Sequence, residues 1–372
     1  NFDRYLMEKP VVVILGKIPP PYMGPSLATQ IILKSSLNEQ FRLVHVDTRA
    51  VNSLTAMGKF SFAKIGRNLG IYRHLWKTIR REHPALVLVP ISQSTIGFLK
   101  DAVFILIALL LGRKVLIHLR GSNFLNWMKG SSAITRTFVK SVLRRTNGVI
   151  VLGNNLRYLF AGIYPPERIY VVPNGADYAL SSRPKSNHPV RLLYLANLQA
   201  SKGIEDLVEA IRLLKEQGVA DFRLDVVGGW RSSATQQSCE SLVQAHQLPV
   251  SFHPADAGEK KFQFLSEADI FIFPPRAPEG HPWVVVEAMA AGLPIISTDQ
   301  GAIVESVLDG KNGFIVPVRD PAAIAAHLKE LIQNDARRVE MGQFSRHLYE
   351  TEFTEKRMVE RLAATFRAVI AA

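Results

Sequence analysis

Two carboxylates eight residues apart offer the clearest chemistry in this chain of 372 residues. Glu279, Gly280 and His281 precede Pro282, and the run Trp283, Val284, Val285, Val286, Glu287, Ala288, Met289, Ala290, Ala291 is apolar apart from Glu287. Proline suits a first helical turn, glycine the residue past a helix end and proline the stop beyond it, so Pro282, Gly292 and Pro294 delimit a helix over roughly 282–291. A helix apolar nearly all round is a buried helix. An ionised acid inside it needs a partner, either a cation or ligand hydroxyls. The free backbone N–H groups at the helix start form a site that favours phosphate.

Other residues fall at the ends of expected strands. Lys202 and Gly203 follow a strand at 192–196 and precede a helix near Ile204, so an ammonium and helix-start amides converge, a geometry that suits a diphosphate. Gly228 and Gly229 leave the strand at 224–227, where they form a plain turn or admit a ligand close to the backbone. His118 ends the strand at 115–118 and is followed by Arg120 and Asn123, so a titratable group and a cation stand at a strand's carboxyl end. Pro173, Asn174 and Gly175 signal a turn, and His253 reads as a strand-end residue. The chain has no G-x4-G-K-[ST] loop, no G-x-G-x2-G after its first strand, no H-E-x2-H and no G-x-S-x-G. Kinase, dehydrogenase, zinc protease and esterase readings fall with them.

The elements that position these residues alternate as strand and helix throughout. Strands are expected at 11–15, 42–46, 86–90, 115–118, 148–152 and 169–172, then at 190–195, 222–227, 250–253, 269–273, 294–297 and 314–316. Helices fit between the second set at about 203–216, 233–246, 260–267, 282–291 and 301–308, and a last helical pattern covers 355–370. Two doubly wound α/β domains follow, with a ligand cleft between them. The polar, proline-bearing segment 177–189 is the linker candidate. The domains are read as 1–178 and 185–350, with the last helix, about 355–372, returning to the first.

Composition narrows the setting. One cysteine, Cys239, excludes an intramolecular disulfide framework and a multi-cysteine metal site, and points to a reducing, cytoplasmic compartment. The most apolar run, residues 102–111, is too short to span a membrane and reads as a core helix. The first ten residues lack the basic and apolar regions of a signal peptide and read as a trimmed terminus. Residues 1–180 hold 24 Lys/Arg against 8 Asp/Glu, whereas the remainder holds 21 against 24. The +13 net charge of the chain therefore belongs to its first half, whose field attracts phosphate-bearing partners. Much of it lies in Lys59, Lys64, Arg67, Arg73, Lys77, Arg80 and Arg81, interleaved with Phe60, Phe62, Ile65, Leu69, Tyr72, Leu75, Trp76 and Ile79. That segment is amphipathic, and suits either docking at an anionic membrane or packing on its own domain.

Glu279 and Glu287, taken with Lys202-Gly203, Gly228-Gly229, Pro173-Asn174-Gly175 and His118, closely resemble glycosyltransferase family 4, the retaining nucleotide-sugar transferases with the GT-B fold. The likeness covers almost the whole chain and is strongest over 190–317. It implies two Rossmann-like domains facing each other, the second binding the nucleotide-sugar and the first the acceptor. It implies that Glu287 holds the ribose hydroxyls, Glu279 faces the donor sugar and Lys202 binds the diphosphate. Gly203, Gly229 and the backbone of Gly280, His281, Pro282, Trp283 and Val284 line the donor. His118 sits beside the transferred sugar and Gly24 in the loop under the phosphates. The family commonly has arginine five residues before the lysine, where this chain has Asn197; Arg231, Arg276 or Arg120 could replace it. Gly24-Pro25 stands for the usual double glycine, and Pro282 removes a further N–H.

The resulting expectation is a cytoplasmic, peripherally membrane-bound retaining glycosyltransferase acting on a lipid-linked or surface-polysaccharide acceptor. No nucleic acid partner is expected. Retention would proceed by front-face attack, with the leaving phosphate oxygen as base. With Lys202 and amides to neutralise the leaving diphosphate and no Asp-x-Asp motif, no metal or cofactor is expected. The competing readings are an epimerase or glycan phosphorylase on the same fold, and a non-catalytic binding module with a basic half.

Overall fold

The computed structural model describes residues 9–20, 23–49, 62–180, 188–255 and 258–372, with the backbone alone over 62–68. Lys59 and Phe60 of the basic segment, and 181–187 of the linker candidate, lie outside the described residues. The chain divides into two compact units, residues 1–173 with 355–372, and residues 174–354.

The first unit is a six-stranded parallel sheet of β1 (Val11–Gly16), β2 (Arg42–Asp47), β3 (Leu86–Ile91), β4 (Lys114–Leu119), β5 (Gly148–Val151) and β6 (Ile169–Val171), in the order β2-β1-β3-β4-β5-β6. Strands of this kind are buried on both faces, which is why they read as unbroken apolar runs and not as alternation. The helix Glu355–Ala371 belongs to this unit and covers one face of its sheet. It sets Met358, Val359, Leu362 and Phe366 against Val12, Ile14, Leu88 and Leu116, and Phe366 meets the Phe41 ring edge-on at 5.5 Å.

The run at 102–111 lies in the longer helix Thr95–Leu110, where Ala102, Phe104, Ile105 and Ala108 are buried. Among the described residues no helix is long and apolar enough to cross a membrane. The helix Phe62–Glu82 divides its apolar side chains. Of the side chains described, Leu75 and Ile79 enter the core, while Leu69 and Trp76 stay outside at 65% and 38% exposure beside Arg73 and Lys77.

The second unit repeats the plan with β7 (Val190–Leu195), β8 (Phe222–Val227), β9 (Val250–His253), β10 (Ile270–Phe273), β11 (Ile295–Thr298) and β12 (Gly313–Val316), ordered β12-β11-β10-β7-β8-β9, all parallel. Helices Ile204–Glu216, Ser233–His246 and Glu259–Glu267 fall where their periodicity puts them. The helix expected over 301–308 is one turn, Ile303–Ser306, because Val307 leaves the helical region of backbone space.

Candidate active site

The strand order of the second unit reverses between β7 and β10. Loops leaving two such neighbours run to opposite faces and open a crevice at the carboxyl ends of the strands. Lys202 comes from the loop after β7 and Glu279 from the loop after β10, and the ammonium meets the carboxylate in an ion pair. The pair is mostly shielded, with side-chain exposures of 24% and 13%. Burial raises the Glu279 carboxyl above the ordinary glutamate range, and the Lys202 charge opposes it.

Backbone packing fixes both loops. Lys202 ends the short turn Ala200–Lys202, and Gly203 follows at φ +77°, where a Cβ would fall 1.8 Å from the Pro274 carbonyl oxygen. Only glycine allows the loop after β7 to press so closely on the loop after β10. The Arg276 amide adds a hydrogen bond to the Ser201 carbonyl at 2.9 Å. Beneath Glu279, Gly301 lies with its Cα against the Glu279 carbonyl, and Ala302 N donates to Gly280 O at 2.8 Å. Gly301 carries no sequence signal for this role, because its partner is distant backbone.

The helix with the second acid runs over Trp283–Ala290, with Pro282 as its extended N-cap and not its first turn. Glu287 is 1% exposed. Its partner within the chain is a cation: Lys261 Nζ donates to Oε1 at 2.6 Å. Of the two partners that burial demands, a cation or ligand hydroxyls, the chain itself supplies the cation: this lysine arrives from the helix Glu259–Glu267 and has no local relation to Glu287. Oε2 of Glu287 and the Tyr178 hydroxyl are both buried, and the two groups interact with each other. Burial raises the Glu287 carboxyl, with Lys261 opposing; burial and Glu287 together push the Tyr178 hydroxyl well up.

His281 holds the loop by its side chain. Its Nδ1 accepts from Asn174 N at 3.0 Å, so its neutral ring carries the proton on Nε2, which donates to Ser306 Oγ at 2.6 Å. The Asn174 amide donates to the His281 carbonyl at 2.6 Å, so the turn at Pro173-Asn174-Gly175 braces the entrance to the Glu287 helix. Gly228, and not Gly229, is the sterically required glycine: a Cβ on it would fall 1.8 Å from Ala196 O, whereas one on Gly229 meets nothing closer than 3.7 Å. At Gly228 the neighbouring backbone fills the space, as in a plain turn. His253 pairs with Asp225 at 2.8 Å.

The three arginines proposed for the position of Asn197 separate clearly. Arg276 is bound to Glu205 and Asp206, each at 2.6 Å. Arg120 belongs to the first unit. Arg231 lies beside Asn197, donating to Oδ1 from Nε at 3.2 Å and Nη2 at 2.9 Å, and makes no ion pair among the described residues. Leu198 N to Gly229 O, at 2.9 Å, and Arg231 N to Leu198 O, at 3.0 Å, zip the two loops together.

In the first unit His118 is 3% exposed at the end of β4. Arg120 Nε donates to its Nδ1 at 3.4 Å, while Nη1 donates to Thr29 Oγ1 at 2.7 Å and to the Pro25 carbonyl. Gly24 begins the helix Gly24–Lys34. Asn123 caps the helix Phe124–Gly130, its Oδ1 taken by Asn126 at 3.2 Å. Among the described residues no three His, Cys, Asp or Glu gather as a metal site.

Two parallel six-stranded units of this order define a GT-B fold, the architecture of a large class of glycosyltransferases. The crystal structure of Anabaena Alr3699/HepE in complex with UDP and glucose superimposes with a TM-score of 0.73 at 17% identity, covering 96% of this chain and 99% of that one. Residues 181–348 match the family described as glycosyl transferases group 1. The amylovoran biosynthesis glycosyltransferase AmsK of Erwinia amylovora is 32% identical over 54% of this chain and 50% of its own length. The capsular polysaccharide biosynthesis glycosyltransferase CapM of Staphylococcus aureus is 26% identical over 48% and 46%. The chain spans about half the length of the curated relatives it matches.

Proposed function

We propose that the chain transfers a sugar, with retention, from a nucleotide diphosphate donor to a hydroxyl of a lipid-linked or polysaccharide acceptor. The observation that carries this reading is the pair of buried lysine–glutamate contacts at the switch point of the second unit. Glu279 with Lys202 faces the sugar and diphosphate; Glu287, whose Oε1 is held by Lys261, takes a ribose hydroxyl. The diphosphate leaves as an anion, so cations fixed beforehand lower the barrier to its departure. Lys202 is already matched by Glu279, and Arg231, anchored on the neutral Asn197, supplies the second cation; the reading therefore assigns no metal. Both glutamates are held by lysines and not poised as nucleophiles, which supports front-face attack with the leaving phosphate oxygen as base. UDP and glucose in the HepE complex, and polysaccharide assembly by AmsK and CapM, support the donor and acceptor classes.

The basic first half and exposed Leu69 and Trp76 support attachment to the cytoplasmic face of an anionic membrane. Flotation with liposomes tests that clause, and equal recovery with neutral and anionic lipid refutes it. For the reaction, nucleoside diphosphates and their sugars are screened by thermal shift, and products are then analysed with the donor that binds. Free nucleoside diphosphate together with the sugar on an acceptor is expected. Unchanged turnover in Glu279→Ala would count decisively against this site.

A further inference from the structure

The sheet end of the first unit carries three buried polar atoms with no hydrogen-bond partner: Gln93 Oε1, His118 Nε2 and Arg120 Nη2. Buried polar atoms are nearly always satisfied, so three at the ends of adjacent strands require a reason. In β3 and β4, Pro90 stands opposite His118 and Ile91 opposite Leu119, so Gln93 and Gly121 leave the sheet side by side. The Gln93 amide occupies the place a side chain at 121 would take, since a Cβ there would lie 2.3 Å from Gln93 Nε2.

Arg120 is held rigidly by Thr29, Pro25 and His118, contacts that use Nε and Nη1 and leave Nη2 over. Because His118 Nδ1 accepts, the neutral ring bears its proton on Nε2, which becomes a second unused donor. None of Arg120's partners is charged, and among the described residues no carboxylate makes an ion pair with it. Burial lowers the guanidinium to about 10 and, with the Arg120 charge, holds the imidazole well below its usual value. At neutral pH the cluster is therefore one uncompensated cation and one neutral donor. A cation withdrawn from water without a counter-charge is costly, and an anion relieves that cost.

We infer that Gln93, His118 and Arg120 form an oxyanion subsite on the first unit, which takes the carboxylate or phosphate of a hydroxyl-bearing sugar. Arg120 Nη2 and His118 Nε2 donate to the oxyanion, and Gln93 Oε1 accepts from a hydroxyl. The subsite stands on the first unit alone and does not depend on the nucleotide reading of the second.

Thermal denaturation of the full chain with millimolar glucuronate, glucose 1-phosphate or glucose tests it. A rise in midpoint with glucuronate and not glucose identifies an acidic sugar; a rise with glucose 1-phosphate identifies a sugar phosphate. Either shift is expected to survive Lys202→Ala, which separates this subsite from the second unit. It should be lost in Arg120→Gln, with affinity falling about tenfold or more, as expected for a charge-assisted hydrogen bond. The melting profile of Arg120→Gln without ligand shows whether it folds, and His118→Ala serves if it does not. No shift with either anion, an equal shift with glucose, or an anion shift unchanged in the variants overturns the inference.

Discussion

At the scale of single residues, charge compensation decides what each side chain does. Lys261 and Glu287 are a buried pair, and removing one partner strands the other. Lys261→Met is expected to lower stability by about 3–5 kcal/mol in urea denaturation, and Lys261→Met with Glu287→Gln to recover much of that loss. Glu279 and Glu287 both titrate above the ordinary glutamate value of 4.5, so protonation favours the folded state. Their stabilising contribution is complete below that value and lost as pH rises through the raised folded values. Glu287→Gln should flatten this decline, and an unchanged slope would show that Glu287 is not among its sources. Arg231 has a neutral anchor, Asn197, and no carboxylate partner among the described residues. Arg231→Ala should weaken binding of nucleoside diphosphates about tenfold and leave that of nucleosides unaltered, measured by calorimetric titration.

At the scale of elements, glycines permit loops to touch where side chains would hold them apart. Gly203 combines a left-handed backbone with contact against Pro274 O. Gly203→Ala is expected to cost about 2 kcal/mol or more of stability and to weaken diphosphate binding together with it, since Lys202 is the preceding residue. Stability unchanged in chemical denaturation would mean that the loop relaxes freely. Strands and long helices were legible because burial on two faces, or on one stripe, prints its period into the residues over many positions. The one-turn helix Ile303–Ser306 and the N-cap role of Pro282 were not, because one turn is too short to establish a period.

At the scale of the whole molecule, each unit closes around its own sheet, but the first needs the end of the chain to do so. Truncation after Thr354 would bare Val12, Ile14, Leu88 and Leu116 where Met358, Leu362 and Phe366 now cover them. Each of those side chains is worth about 1.5–3 kcal/mol in burial, enough together to abolish cooperative unfolding of the first unit in calorimetry. A truncated chain retaining both transitions would refute this. The sequence alone determined the α/β alternation, the buried helix around Glu287 with Glu279 at its entrance, and the strand-end positions of Lys202 and His118, because these follow from local periodicity and turn chemistry. Only the tertiary structure decided that Lys261 neutralises Glu287, that Asn174 locks His281, that Arg231 stands by Asn197, and that Gln93, His118 and Arg120 share unsatisfied atoms. Each of these joins residues remote along the chain or on neighbouring strands, and Coulomb and hydrogen-bond energies depend on distance in space, which residue spacing does not record.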